Sequence, residues 1–138
     1  MSSIRVHRDA WEAMLAHARA AYPDECCGAM LGKGGEVRVA VPLENSFAGS
    51  RRTRYQVSPE DLLAATREAR QGGLQLIGIY HSHPDRDAYF SETDLKNSCP
   101  WYAFLVLSIK EGVFDHAACW QPNPEQTEAA RVELDLPI

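Results

Sequence analysis

Leu74-Gln75-Leu76-Ile77-Gly78-Ile79-Tyr80-His81-Ser82-His83-Pro84 is an almost unbroken apolar run that ends on two histidines and a proline. Gly72-Gly73 bound it on the other side, so Leu74 to Tyr80 reads as a buried central strand. Strand side chains alternate in direction, which points His81 and His83 to one face where the strand ends. Two neutral imidazoles side by side are good zinc ligands and poor neighbours as cations. Pro84 then turns the chain into a loop.

Upstream, Ser58-Pro59-Glu60-Asp61 predicts a helix start: an N-cap serine, proline at the first helical position and acids in the first turn. Leu62, Leu63, Thr66 and Ala69 form its expected buried side, and Gly72-Gly73 stop it. Asp9 and Glu12 have the spacing of a capping box, followed by an apolar stripe at Trp11, Met14, Leu15 and Ala18. That helix is expected to end near Tyr22, because Pro23 cannot continue it. Residues 27–33 are small and apolar, and Lys33-Gly34-Gly35-Glu36 predicts a hairpin turn into a strand from Val37 to Val41. Residues 44–53, with Arg51, Arg52 and nearby Arg54, read as an exposed, mobile loop before a short strand from Tyr55 to Val57.

Downstream, Trp101–Ile109 and Val113–Trp120 read as strands joined by a tight turn at Lys110-Glu111-Gly112. A polar connector follows at about 121–128. Val132, Leu134 and Leu136 then alternate with charged residues, as in an edge strand over about 131–136. Helices mixed with one sheet give the class α/β (α+β), and 138 residues suit a single domain over 1–138.

Composition narrows the function classes. Hydrophobic residues are 45% and charged residues 24%, both in the globular range. With 14 Lys plus Arg against 19 Asp plus Glu, the net charge of -5 attracts neither nucleic acid nor an anionic bilayer. The N-terminus shows no signal-peptide run, and no stretch reaches the roughly 18 apolar residues of a membrane span, so a cytoplasmic location is expected. Cys26, Cys27, Cys99 and Cys119 lack CxxC spacing and read as free thiols, Cys27 packing inward.

Ser91-Glu92-Thr93-Asp94 carries an N-terminal capping pattern and, alone, means only that. Beside two histidines, Asp94 becomes a third metal ligand. Three protein ligands leave a tetrahedral position open for water, the mark of a catalytic zinc site. A proton acceptor is then needed. On spacing alone Glu25 has equal rivals in Glu12, Glu36, Glu44, Asp24 and Asp61.

Together these residues resemble the JAMM or MPN+ (Mov34/MPN/PAD-1) metalloproteases, whose signature is an upstream Glu, then His-x-His, seven residues, Ser, two residues, Asp. His81-Ser82-His83, the seven residues Pro84–Phe90, Ser91 and Asp94 match it in type and spacing. Tyr22-Pro23-Asp24-Glu25-Cys26-Cys27-Gly28 resembles the family's Glu-x-Cys-Gly and selects Glu25. Likeness continues through Tyr55–Pro59 and Leu76–Tyr80, covering about residues 10–120.

The resemblance implies a single MPN domain with a mixed, curved sheet flanked by helices. It implies one Zn²⁺ per chain held by His81, His83 and Asp94, with water as fourth ligand. Glu25 would be the general acid–base and Ser91 the oxyanion donor. The short core resembles small prokaryotic members, some of which act on ubiquitin-like sulfur carriers of ThiS or MoaD type. Such carriers end in Gly-Gly, which threads a narrow groove and pairs with a strand edge. Arg51, Arg52 and Arg54 either meet an acidic carrier face or serve solubility.

Three other readings follow from the same residues. One is a two-histidine, one-carboxylate iron site using Asp87. Another is a non-catalytic MPN scaffold, against which every ligand residue is present. The third is a cell-wall or phage-tail peptidase on the same core. His7, His17 and His116 read as isolated surface or core histidines, and Asp85 and Asp87 as loop acids. Tyr89 and Phe90 wall the cleft or pack under the new helix; Trp101 and Trp120 read as core or near-surface aromatics.

Overall fold

The histidine-bearing strand lies at the centre of a seven-stranded sheet that the chain closes on itself. A computed structural model describes residues 2–137; Met1 and Ile138, the ends of the expected domain, lie outside them. The elements run β1 (Ser3–Val6), α1 (Arg8–Ala21), β2 (Cys27–Lys33), β3 (Glu36–Leu43), α2 (Pro59–Gln71), β4 (Gln75–Pro84), α3 (Glu92–Lys96), β5 (Ala103–Lys110), β6 (Val113–Pro122) and β7 (Ala129–Asp135). Their spatial order is β1-β3-β2-β4-β5-β6-β7, closed into a barrel where β1 pairs with β7.

β4 is antiparallel to β2 and parallel to β5. A parallel neighbour requires a crossover rather than a hairpin, and residues 85–102 supply it, carrying α3. β4 passes its neighbours closely. At Gly78 a Cβ would overlap the carbonyl of Ala103, and at Gly28 it would overlap the ring of Tyr80. Glycine is the residue that permits both approaches.

Two faces of the sheet are filled differently. On one, α1 packs Ala10, Trp11, Met14 and Ala18 against Ile4, Met30, Tyr80, Leu105, Leu107 and Val132. On the other, α2 packs Ala65 and Ala69 on Ala29 and Leu31, while Cys27, Tyr55, Ile79 and Phe104 form a separate cluster nearer the end of β4.

Several expectations need correction. α1 begins at Arg8 with His7 as N-cap, and the cap makes no side-chain hydrogen bond, so Asp9 and Glu12 form no capping box. Tyr55–Val57 has no strand hydrogen bonding, although Tyr55 is buried. α2 starts on Ser58 and buries Ala69 as expected, but its other buried residue is Ala65, while Leu63 is 51% exposed. Alanines allow the helix to sit close to the sheet, and that leaves Leu63 on the outer side. The last strand is not an edge: it pairs with β6 through Ala129–Val132 and with β1 through Glu133–Asp135. Trp101 is 71% exposed.

Candidate metal centre

Strand register brings the site together. Cys27 on β2 is directly opposite His81 on β4, so the two share a face. Two residues back along the same face stands Glu25; two residues on from His81 stands His83. The pairing persists beyond the strand, with Ser82 N–H donating to the Cys26 carbonyl at 3.1 Å and Cys26 N–H to Ser82 Oγ at 2.8 Å. The 44–58 segment braces Glu25 as well. Its N–H donates to the Arg51 carbonyl at 2.7 Å, and its carbonyl accepts from Asn45 Nδ2 at 3.1 Å. Asn45 also bonds Arg54, Phe47 and Gln56, so the expected loose loop is stitched by one side chain.

Asp94 arrives from the crossover. Ser91 Oγ accepts from Asp94 N–H at 2.9 Å, and Asp94 Oδ2 accepts from Ser91 N–H at 3.1 Å, a complete capping box. The same Oδ2 lies 3.0 Å from His83 Nε2 and 3.3 Å from His81 Nε2, while the two Nε2 atoms are 3.3 Å apart. His81 and His83 are 0% exposed and Asp94 5%. Among the described residues these three are the group able to hold a metal ion.

The donor chemistry fits a cation. His83 Nδ1 lies 2.8 Å from the Asp87 carbonyl, which can only accept, so Nδ1 carries the proton and Nε2 of the neutral ring offers a lone pair. That lone pair faces a carboxylate oxygen that is also an acceptor. Burial holds His83 toward its neutral form. Burial opposes ionisation of Asp94 too, but the two imidazoles outweigh it and hold the carboxyl well below its ordinary range. Two ligand atoms on a tetrahedral zinc at 2.0–2.1 Å are about 3.3 Å apart, which is the spacing of these three.

Glu25 is 2% exposed. Burial raises its carboxyl to about 7, with Asp94 adding to the shift and His81 and Arg86 opposing it. Its Oε2 accepts from Arg86 Nη2 at 2.5 Å, while Oε1 is buried with no hydrogen-bond partner. The carboxyl therefore has one unpaired oxygen and takes up a proton near neutrality. Tyr55 stacks on His81 at 4.4 Å, and Tyr89 meets His83 edge-on at 5.1 Å. Phe90 instead packs on Phe104 and Trp120.

Other expectations separate cleanly. His7 pairs with Glu36, His17 with the Tyr80 hydroxyl, and His116 with Asp115 and the Ala88 N–H. The Asp87 carboxylate pairs with Lys110 at 2.6 Å and Asp87 gives its backbone carbonyl to His83, so its carboxylate does not join the histidine pair. Cys26 and Cys27 are both buried, and burial raises their thiols to about 11 and about 12, which makes them poor nucleophiles. Arg86 and Asn45 were not anticipated. Nothing in local spacing marks either one.

A buried two-histidine, one-carboxylate group that could hold a metal ion, beside a buried carboxyl, is a donor set of the kind found in hydrolase centres. The family match agrees: residues 7–122 fit the Prok-JAB model, the prokaryotic homologs of the JAB domain, and the chain belongs to that family. It is 32% identical to a desampylase of Haloferax volcanii over 114 residues, 78% of this chain and 81% of the relative. It is 34% identical to a CysO-cysteine peptidase of Mycobacterium tuberculosis over 102 residues, 74% and 70% of the two chains. A Desulfitobacterium hafniense protein solved in solution superposes with a TM-score of 0.83 at 26% identity, covering 97% of this chain and 92% of its own.

Proposed function

We propose that the chain is a zinc-dependent peptidase that hydrolyses a peptide or isopeptide bond after the C-terminal Gly-Gly of a ubiquitin-like sulfur carrier. The observation that carries this is the convergence of His81, His83 and Asp94 at 3.0–3.3 Å beside a buried Glu25 with one free oxygen. Relatives named desampylase and CysO-cysteine peptidase support the substrate class.

His81 Nε2, His83 Nε2 and Asp94 Oδ2 would hold the ion, one per chain. Zinc there supplies a Lewis acid and an acidified water. Glu25 takes a proton at Oε1 from the attacking water and later returns one to the leaving amine. Ser91 Oγ accepts from Asp94 N–H, which leaves its own hydrogen free to donate to the substrate carbonyl oxygen as charge develops there.

The tail has a place to lie. A cavity of about 520 Å³ opens beside Tyr55, lined also by Phe47, Leu62, Ile79, Tyr102 and Phe104. Its apolar walls suit an extended segment, and glycines at the scissile end let the chain approach the buried ligands. Arg54 lines the same cavity, in reach of an acidic carrier. Among the described residues no helix is long and apolar enough to cross a membrane. An enzyme acting on such a carrier would work where the carrier does, in the cytoplasm.

The test is mass spectrometry of a ThiS-type carrier extended past its Gly-Gly by one cysteine. Wild type is expected to remove the added residue, and Glu25→Gln to keep zinc but lose turnover. An active Glu25→Gln variant would place the base elsewhere.

A further inference from the structure

Arg86 stands three residues beyond His83 and reaches back to the base. Its Nη2 donates to Glu25 Oε2 at 2.5 Å, with the Glu25 side chain 1% exposed and that of Arg86 28%. Its Nε is buried with no hydrogen-bond partner, as is Glu25 Oε1. A guanidinium offers five donors in a planar fork. Pairing with one carboxylate oxygen accounts for its charge but not for the unmatched Nε.

The loop that carries it is fastened residue by residue. Asp85 N–H donates to the Ile109 carbonyl at 2.7 Å, and the Asp85 carboxylate accepts from the Tyr22 hydroxyl and Glu111 N–H at 2.7 and 2.8 Å. The Arg86 carbonyl accepts from the buried Ser108 hydroxyl at 2.5 Å. Ala88 donates to His116 Nε2 at 3.0 Å and accepts from Trp120 Nε1 at 3.1 Å. These anchors fix the backbone from which the Arg86 side chain reaches Glu25.

That place has a consequence for the leaving group. In the reaction proposed above, Glu25 returns a proton to the leaving amine, so that nitrogen lies within hydrogen-bond reach of its carboxylate. In a free amino acid the α-carboxylate carbon is two bonds from the amine nitrogen. It is therefore close enough to pair with a cation held on the other oxygen of the same Glu25. A lysine side-chain amine released from an isopeptide has no carboxylate within that distance.

We infer that Arg86 binds the free α-carboxylate of the residue being released, so that the enzyme acts as a carboxypeptidase on a single α-linked terminal residue in preference to an isopeptidase. Arginine's fork suits the task, holding Glu25 on one donor and receiving a second carboxylate on others. The inference rests on the proposed peptidase reading and names the kind of substrate end that site takes.

The test uses two forms of one substrate, a ThiS-type carrier extended past Gly-Gly by one cysteine, as free acid and as C-terminal amide. Wild type is expected to cleave the acid about 10–100-fold better in kcat/KM, the range set by one charge-assisted hydrogen-bonded pair. Arg86→Gln should bring the acid down to the level of the amide, and Arg86→Lys should keep part of the preference. An acid-to-amide ratio of one in wild type overturns the inference and leaves the peptidase reading intact. So does a ratio that persists in Arg86→Gln while both rates fall together, which is the signature of a residue that only positions Glu25. If Arg86→Gln does not fold, the wild-type and Arg86→Lys ratios still decide. Failure of wild type to cleave either form removes the peptidase reading and the inference with it.

Discussion

Ser58-Pro59-Glu60-Asp61 and Ser91-Glu92-Thr93-Asp94 open two helices with the same local device. Each serine hydroxyl accepts the N–H of the acid three residues on, at 3.1 Å for Asp61 and 2.9 Å for Asp94. Both acids sit in a first turn, where the helix dipole favours negative charge. The α2 copy ends there. Asp61 is half-buried, and its 13-residue helix is held by Ala65 and Ala69 on the sheet. The α3 copy turns its acid inward, where Oδ2 accepts from the Ser91 backbone and also faces both histidines. The two serines cap alike, but only at α3 does the acid accept in return from the N-cap backbone N–H and complete the box. The place the chain has come from differs too: α3 lies in the crossover that leaves β4 after Pro84, next to His83. A five-residue helix has little stability of its own, so its cap acts as a bracket that aims one carboxylate oxygen.

The largest expected difference between the two brackets is in metal binding. Asp94→Ala is expected to drop zinc from about one per chain to a small fraction and to bring turnover to background, because two histidines alone hold zinc weakly. Asp61→Ala should change neither. Metal analysis by mass spectrometry and the carrier assay read both, and full zinc content in Asp94→Ala would remove it from the ligand set. Chelation extends the comparison to stability. A ligand that binds only the native state raises Tm. Removing zinc should therefore lower the Tm of wild type and of Asp61→Ala, while Asp94→Ala barely moves.

Next in size is the serine. Ser91→Ala should lower kcat by about 10²–10³, in line with loss of one oxyanion donor. Zinc content should persist, because Asp94 Oδ2 is held by the Ser91 backbone N–H and not by its hydroxyl. An unchanged kcat would reduce Ser91 to a cap and make the two serines equivalent.

These differences explain what could be seen in the sequence. His-x-His at a strand end and Ser-x-x-Asp at a helix start are local patterns, with spacing set by the pleat and by the cap. The three residues that could hold a metal were legible for that reason. Glu25 is placed by the pairing of Cys27 with His81, a contact between distant segments, and only family likeness singled it out among other acids. Arg86 owes its position to Ser108, His116 and Trp120, which no pattern near residue 86 announces. Alternating apolar residues marked β7 as a strand, but alternation is the same whether a strand is free on one side or joins two neighbours, so barrel closure was not visible. In α2 hydrophobicity put Leu63 on the buried side with Ala69, yet close approach to the sheet selected Ala65 and left Leu63 outside.

The smallest expected effect is that of Ser58→Ala, and it tests whether the α2 bracket is purely structural. Loss of a serine N-cap costs ~1 kcal/mol, which for a chain of this size lowers Tm by roughly 2–5 °C. Zinc content should not change, because none of the proposed metal ligands lies on α2. The first turn of α2 does, however, carry Leu62, which lines the cavity beside Tyr55. If that turn serves only to dock the helix, kcat and KM for the extended carrier both stay at wild-type values. If KM rises while kcat holds, the fraying first turn has disturbed the groove that receives the tail. The α2 bracket would then act on substrate through Leu62 as the α3 bracket acts on the metal through Asp94, and the distinction between the two capping motifs would be one of ligand and not of role.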